Sequence, residues 1–204
     1  MKIIYGTSNK AKIEQVKEHL EYKKVNIELI SLKDIGFNEE IIEDGKTFEE
    51  NSAIKAKAIK KYCDENNINE IIMTDDAGLC VDALNGEPGV YSARYAGDHA
   101  PQIDAINKVL GKMKNVKDEE RTAKFVCVLT LVLKDGRTKV VRGETFGKIT
   151  KEPGPLGKLT YGPIFIPDGF CKTMNELTPE EMGMTHREKA LNKLIDFLNE
   201  EGIK

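Results

Sequence analysis

Two adjacent carboxylates, Asp75 and Asp76, follow the apolar run Ile71-Ile72-Met73-Thr74 and precede Ala77-Gly78. Chemistry often sits where a buried strand ends in polar residues and glycine. Side by side at such an end, two carboxylates repel one another and lose hydration unless a cation or hydrogen-bond donors compensate. A hard divalent metal completed by phosphate oxygens and water is one compensator. One carboxylate of the pair is also suited to orient or deprotonate an attacking water. The structural alternative is that both cap the turn through the N–H groups of Gly78 and Leu79. Glu50 is a third acidic candidate for the metal, although Thr47 three residues before it already explains it as half of a capping box.

Basic and polar residues that suit an anion lie elsewhere in the chain. Thr7-Ser8-Asn9-Lys10-Ala11-Lys12 stands between a short apolar strand and a helical segment. There, free backbone N–H groups and the positive end of a helix point beyond the strand, and Lys10 and Lys12 add charge. The segment reads as a polyphosphate cradle or, more plainly, as a helix start with Ser8 or Asn9 at the N-cap. Lys55 falls at the edge of an apolar helical stripe, where a lysine snorkels to solvent or reaches a phosphate. His186 and Arg187 sit in the first turn of the last helix, where cations oppose the helix dipole unless an anion or a nucleobase docks there. The three histidines form no cluster with cysteine, so no zinc site is indicated. No nucleophile-elbow glycine pattern marks a hydrolytic serine.

The elements that must hold these residues alternate between strand and helix patterns. Ile3 to Tyr5, Ile27 to Leu32, Ile71 to Thr74, Phe125 to Leu133 and Thr138 to Phe146 read as strands, the last two joined at Asp135-Gly136 as a hairpin. Ile164 to Pro167 reads as an edge strand bracketed by prolines. Helices are expected after Asn9, from Thr47 with the stripe Phe48, Ser52, Ala56, Ile59 and Cys63, over Pro101 to Met113, and from about Thr185 to the end. The class is therefore mixed α/β. With 204 residues, 31 basic against 34 acidic and a net charge of -3, the chain has no bulk positive charge for DNA or RNA. No apolar stretch is long enough for a membrane span or a signal peptide, and the four cysteines form no CxxC pair, so a cytoplasmic protein with reduced thiols is expected.

Taken together, these motifs are recognisable. Thr7-x-Asn9-x-x-Lys12, Thr47-Phe48-x-Glu50-Asn51 with Lys55, and Asp75-Asp76-x-Gly78-Leu79 are followed by Gly86-x-Pro88-Gly89-x-x-Ser92-Ala93-Arg94-Tyr95-Ala96-Gly97. Pro163-Ile164-Phe165, Lys172-Thr173, Glu176-Leu177 and His186-Arg187-x-x-Ala190-Leu191 complete the series. The chain resembles the inosine/xanthosine triphosphate pyrophosphatase family, which hydrolyses non-canonical purine nucleoside triphosphates to monophosphate and pyrophosphate. The resemblance implies an elongated mixed sheet flanked by helices, one domain of two lobes around a central nucleotide cleft, a magnesium ion and a homodimer. It implies Asp76 as the general base and Glu50, Asp75 and Asp76 as the metal-binding acidic group. Thr7, Ser8, Asn9, Lys10, Lys12 and Lys55 would meet the phosphates. His186 and Arg187 would approach the purine base, and Ala77, Tyr161 and Lys172 fall among the substrate-binding positions.

Several positions depart from the family pattern. Ala77 stands for a serine, and Leu159-Thr160-Tyr161-Gly162 for an aromatic-glycine-tyrosine-aspartate run. Met182 stands for a lysine and Ala105 for an asparagine, and the segment leading to Thr185 is one residue short. These changes surround the expected base and phosphate pockets and spare the acidic group. They raise two further expectations: a changed base preference, with room left at Leu159 and Gly162, or a catalytically weakened nucleotide-binding protein.

Overall fold

The computed structural model describes residues 1–157 and 159–203. Four residues, Lys2–Tyr5, form strand β1, and helix α1 runs from Lys10 to Tyr22. Strand β2 (Glu28–Ser31), helix α2 (Phe48–Glu65) and strand β3 (Ile71–Val81) follow. Both β2 and β3 pair in parallel with β1, Tyr5 lying opposite Ser31 on one side and Met73 on the other. Parallel neighbours need crossover connections, and α1 and α2 supply them. Helix α3 (Gln102–Lys112) leads to the long strands β4 (Thr122–Val132) and β5 (Thr138–Ile149). Their hairpin turns at Gly136, at φ +85°, whose N–H donates to the Leu133 carbonyl at 2.9 Å. Strand β6 (Phe165–Pro167) pairs antiparallel with Gly147 to Ile149. The short helix α4 (Pro179–Met182) and the final helix α5 (His186–Glu200) end the chain. The strand order β2-β1-β3-β4-β5-β6 is thus a mixed sheet flanked by helices, the expected class.

The chain divides into two compact units. The first comprises residues 1–76, 127–143 and 187–204, the second residues 77–126 and 144–186. In the first, Ile4, Phe37, Ala56, Ile59, Cys63, Ile72 and Val132 form a core. The α2 stripe supplies three of these, and burying each large aliphatic or aromatic side chain stabilises the fold by about 1.5–3 kcal/mol. In the second, Leu79, Val81, Ile106, Val109, Met113, Phe125, Ile164 and Phe165 do the same. No helix of the described residues is long and apolar enough to cross a membrane.

The apolar run from Ile71 does not stop at Thr74; β3 continues without a break to Val81, so Asp75, Asp76, Ala77 and Gly78 are strand residues. Asp and Gly are poor strand formers on their own, but burial along the whole strand overrides that preference.

Candidate active site

The continuation of β3 decides the geometry of the acidic pair. Because β1 ends at Tyr5, opposite Met73, Asp75 and Asp76 lie just past its carboxyl end, beside the Gly6–Asn9 loop. Gly6 donates its N–H to the Met73 carbonyl at 2.7 Å. A Cβ there would sit 2.5 Å from Ile59 Cδ1 and 2.7 Å from Thr74 Cγ2, so only glycine lets the chain leave the strand so close to β3. Successive strand residues point to opposite faces of a sheet. Adjacent in sequence, the two aspartates are therefore separated in chemistry.

Asp76 faces α2. Asn51 of that helix donates from Nδ2 to Asp76 Oδ2 at 3.1 Å, and the next residue, Ser52, exchanges hydrogen bonds with Thr74. Lys55, on the same helix, is 8% exposed. It neither snorkels nor stands free: its ammonium is paired with Glu43 of the acidic segment before α2. Burial pushes the Asp76 carboxyl up from its ordinary value; Lys55, the Asn51 hydrogen bond and Lys12 pull back, and Glu43 adds to the rise. The result is a largely buried carboxylate with a raised proton affinity and a lysine beside it, the usual setting of a general base.

Asp75 faces the other way and is fully enclosed. Its Oδ2 accepts from Arg187 Nη1 at 2.5 Å and lies 2.9 Å from Lys12 Nζ, while Oδ1 accepts from the Tyr5 hydroxyl at 3.1 Å. Burial alone would raise this carboxyl, but Lys12 and Arg187 together hold it well below the usual carboxylate range. Burial likewise pushes the Tyr5 hydroxyl up, and the Cys127 thiol, 3.6 Å from Arg187, up to about 11. Asp75 is a permanent anion whose charge is already matched.

Glu50 is exposed, and its Oε2 accepts the N–H groups of Lys46 (2.5 Å) and Thr47 (3.2 Å) while Thr47 Oγ1 accepts the Glu50 N–H, the capping box expected from sequence. Asn9 caps α1 by accepting from the N–H groups of Ala11 and Lys12. Thr7 Oγ1 in turn accepts the Asn9 N–H at 3.2 Å, and Ser8 and Lys10 are exposed. Among the described residues, no three of His, Cys, Asp and Glu converge as a preformed metal cage.

A profile of the Ham1 family matches residues 3–197. The chain belongs to the Ham1 family. A dITP/XTP pyrophosphatase of Clostridium perfringens is 42% identical over 199 residues, 97% of each chain. Another, from Bacillus subtilis, is 43% identical over 196 residues, 96% of each. The structure of the Staphylococcus aureus Ham1 protein is similar with a TM-score of 0.85 at 36% identity, covering 98% of this chain and 100% of that one.

The remaining candidate residues of this Ham1-family chain are distributed unevenly. Lys12, Lys55, Glu50, Asp75, Asp76 and Arg187 belong to the first compact unit with the Thr7–Lys10 loop; Ala77, Tyr161, Lys172 and His186 belong to the second. The anion that explains a cation at the start of α5 is internal: Arg187 is spent on Asp75. His186 is buried and stacks on Phe125, ring centroids 5.0 Å apart. The Tyr161 hydroxyl donates to the Ser92 carbonyl at 2.8 Å, and exposed Lys172 pairs with Glu181 at 3.4 Å. The room expected at Gly162 is absent. That glycine is buried, and a Cβ on it would overlap Asn175 Oδ1 and come within 2.7 Å of Asn175 Cγ, so Asn175 already fills the space. Leu159 and Met182 pack against the core of the second unit and Ala105 lies within it.

Sequence reasoning passed over Tyr5, Glu43 and Cys127 and gave Asn51 no role. Asn51 had a readable signal, since it precedes Lys55 by four residues and must share its helix face. Glu43 lies in a loop without periodicity, and Tyr5 and Cys127 sit in strands whose apolar character suffices to explain them.

Proposed function

We propose that this chain hydrolyses inosine, deoxyinosine and xanthosine triphosphates to the monophosphate and pyrophosphate, with Asp76 as general base. The environment of Asp76 carries the reading: a buried carboxylate with raised proton affinity, fixed by Asn51 and flanked by Lys55. Water attacks the α-phosphorus, Asp76 takes its proton, and the bridging oxygen departs with pyrophosphate. Lys12 and Lys55 present positive charge to the phosphates, and the Thr7 to Lys10 loop adds backbone N–H groups and the positive end of α1. His186, Tyr161, Ala77 and Lys172 are proposed as further contacts of the nucleotide, His186 with its purine base.

The donor chemistry fits magnesium. Asp76 and Glu50 offer hard carboxylate oxygens, and an ion of this kind is commonly held by one or two carboxylates plus water and substrate phosphates, so a ready-made cage is not required. When bound, such an ion neutralises charge on the phosphate chain during the displacement. Asp75, matched by Lys12 and Arg187, would support that arrangement chiefly by holding the two cations in place. In this reading the enzyme is a cytoplasmic homodimer acting on free nucleotides, not on DNA, RNA or a membrane surface.

The decisive experiment replaces Asp76 with asparagine and measures pyrophosphate release from dITP with magnesium and with chelator. Loss of a general base removes a factor of about 10²–10⁴ from kcat. Activity within threefold of the parent would eliminate Asp76 as the base.

A further inference from the structure

Among the contacts of Asp76 is a side chain with a fixed orientation, Asn51. Asn51 is 1% exposed, in the second turn of α2. Its Oδ1 accepts the Gly45 N–H at 2.9 Å, which leaves Nδ2 to donate to Asp76 Oδ2 at 3.1 Å. The amide has no choice of orientation: the backbone N–H at Gly45 requires an acceptor on one side, and the carboxylate requires a donor on the other. Residue 45 is tied to this arrangement as well. A Cβ on Gly45 would lie 2.6 Å from Asn51 Oδ1 and 2.8 Å from Glu50 Cβ, so glycine is what allows the backbone to approach. The same short segment contributes Glu43 to Lys55 and, through Lys46 and Thr47, two N–H groups to Glu50.

We propose that Asn51 is a positioning residue for the reaction, aiming the Asp76 carboxylate through the relay Gly45–Asn51–Asp76. This rests on Asp76 being the base. A carboxylate bonded at Oδ2 cannot rotate freely about its side-chain torsions, so the bond from Asn51 fixes the direction in which the carboxylate meets the attacking water. Misplacing a reacting group by about 1 Å is enough to lose roughly 10²-fold in rate.

Two substitutions separate positioning from mere tethering. Asn51→Asp keeps the acceptor for Gly45 and the shape of the side chain but replaces the donor to Asp76 with a repelling carboxylate; Asn51→Ala removes both bonds without adding charge. Both are compared with the parent for kcat and KM on dITP, normalised to folded protein from thermal unfolding curves. The expected result is a fall in kcat of about 10–100-fold for both variants with KM within twofold. An Asn51→Asp protein with parental kcat beside an impaired Asn51→Ala protein would assign Asn51 to holding the loop alone and overturn the proposal. Should Asn51→Asp not fold, Asn51→Ala decides by itself: a raised KM with kcat intact overturns the proposal, and a lowered kcat with KM intact upholds it. Asp76→Asn runs alongside. Full activity there defeats the base assignment, whereas an inactive Asp76→Asn with unaffected Asn51 variants defeats only the positioning role.

Discussion

Replacing Asp75 with asparagine tests whether this residue is the internal counter-ion of the first unit. Arg187 is 5% exposed and Asp75 1%, and they meet at 2.5 Å, so removing the carboxylate charge leaves a guanidinium buried against a neutral amide, Tyr5 and Cys127. Breaking a buried pair by removing one partner destabilises by about 3–5 kcal/mol. The reverse change is milder. Arg187→Met leaves Asp75 with Lys12 at 2.9 Å, and a cost of about 1–3 kcal/mol is expected. Lys12→Met, with a side chain 24% exposed, should cost roughly 0–1 kcal/mol because Arg187 remains on the carboxylate. Urea unfolding followed by circular dichroism is the assay, since the chain has no tryptophan. With a slope of about 3 kcal/mol per molar, Asp75→Asn should lower the midpoint by about 1–1.7 M. The pH dependence has a definite sign. The folded carboxyl lies below its unfolded value, so its contribution is fully present above pH of about 4 and is lost as acid approaches the folded value. Parent and variant therefore differ most at neutral pH and converge in strong acid. A midpoint shift under 0.3 M, or Arg187→Met proving more damaging than Asp75→Asn, would refute the counter-ion argument.

Two further outcomes follow from the same geometry. Because burial raises the Asp76 carboxyl, the acid limb of kcat/KM for dITP should fall at a pH above the ordinary carboxylate value of 3.8, with activity lost on protonation; a limb at or below that value contradicts a desolvated base. Gly162→Ala should destabilise by about 1–3 kcal/mol through overlap with Asn175, and the added change Asn175→Ala should restore most of it; thermal unfolding of the three variants checks this, and additive losses would show that Asn175 does not fill that space.

Local sequence signals specified much of the fold. The Thr47 and Glu50 capping box, the α2 stripe, the Asp135-Gly136 hairpin and the N-cap choice at the start of α1 each depend on residues within a few positions of one another. The acidic pair was legible as a site and not as a geometry. Asp75, Asp76 and Gly78 read as a strand end because each disfavours a strand, and only the burial of β3 as a whole shows that they continue it. The partners of Asp75 were beyond any local rule. Tyr5 lies 70 residues before it and Arg187 112 residues after it, so the anion that satisfies the start of α5 had no signature near that helix. Gly162 looked like missing bulk for the same reason, since Asn175, the residue that supplies the bulk, belongs to a later turn.

The polar face of α2 connects the fold to the chemistry. A helix packed on a sheet would normally bury only apolar residues there, yet Asn51, Ser52 and Lys55 are all enclosed. Each has a fixed partner: Asp76 and Gly45 for Asn51, Thr74 for Ser52, Glu43 for Lys55. Buried polar groups without partners destabilise by about 1–3 kcal/mol each, so such a face is tolerable only as a complete set. That completeness fixes the rotation of α2 against β3, since turning the helix would break the hydrogen bonds of Asn51 and Ser52 together. The capping box sets where the helix begins, the Ser52–Thr74 exchange sets its register on β3, and Asn51 then meets Asp76 as a consequence. On this account the base is aimed by the same contacts that dock the helix. Mutations along the 45–55 face should then change rate and stability together, Asn51→Asp included, because it exchanges the donor to Asp76 for a second buried carboxylate while keeping the acceptor for Gly45.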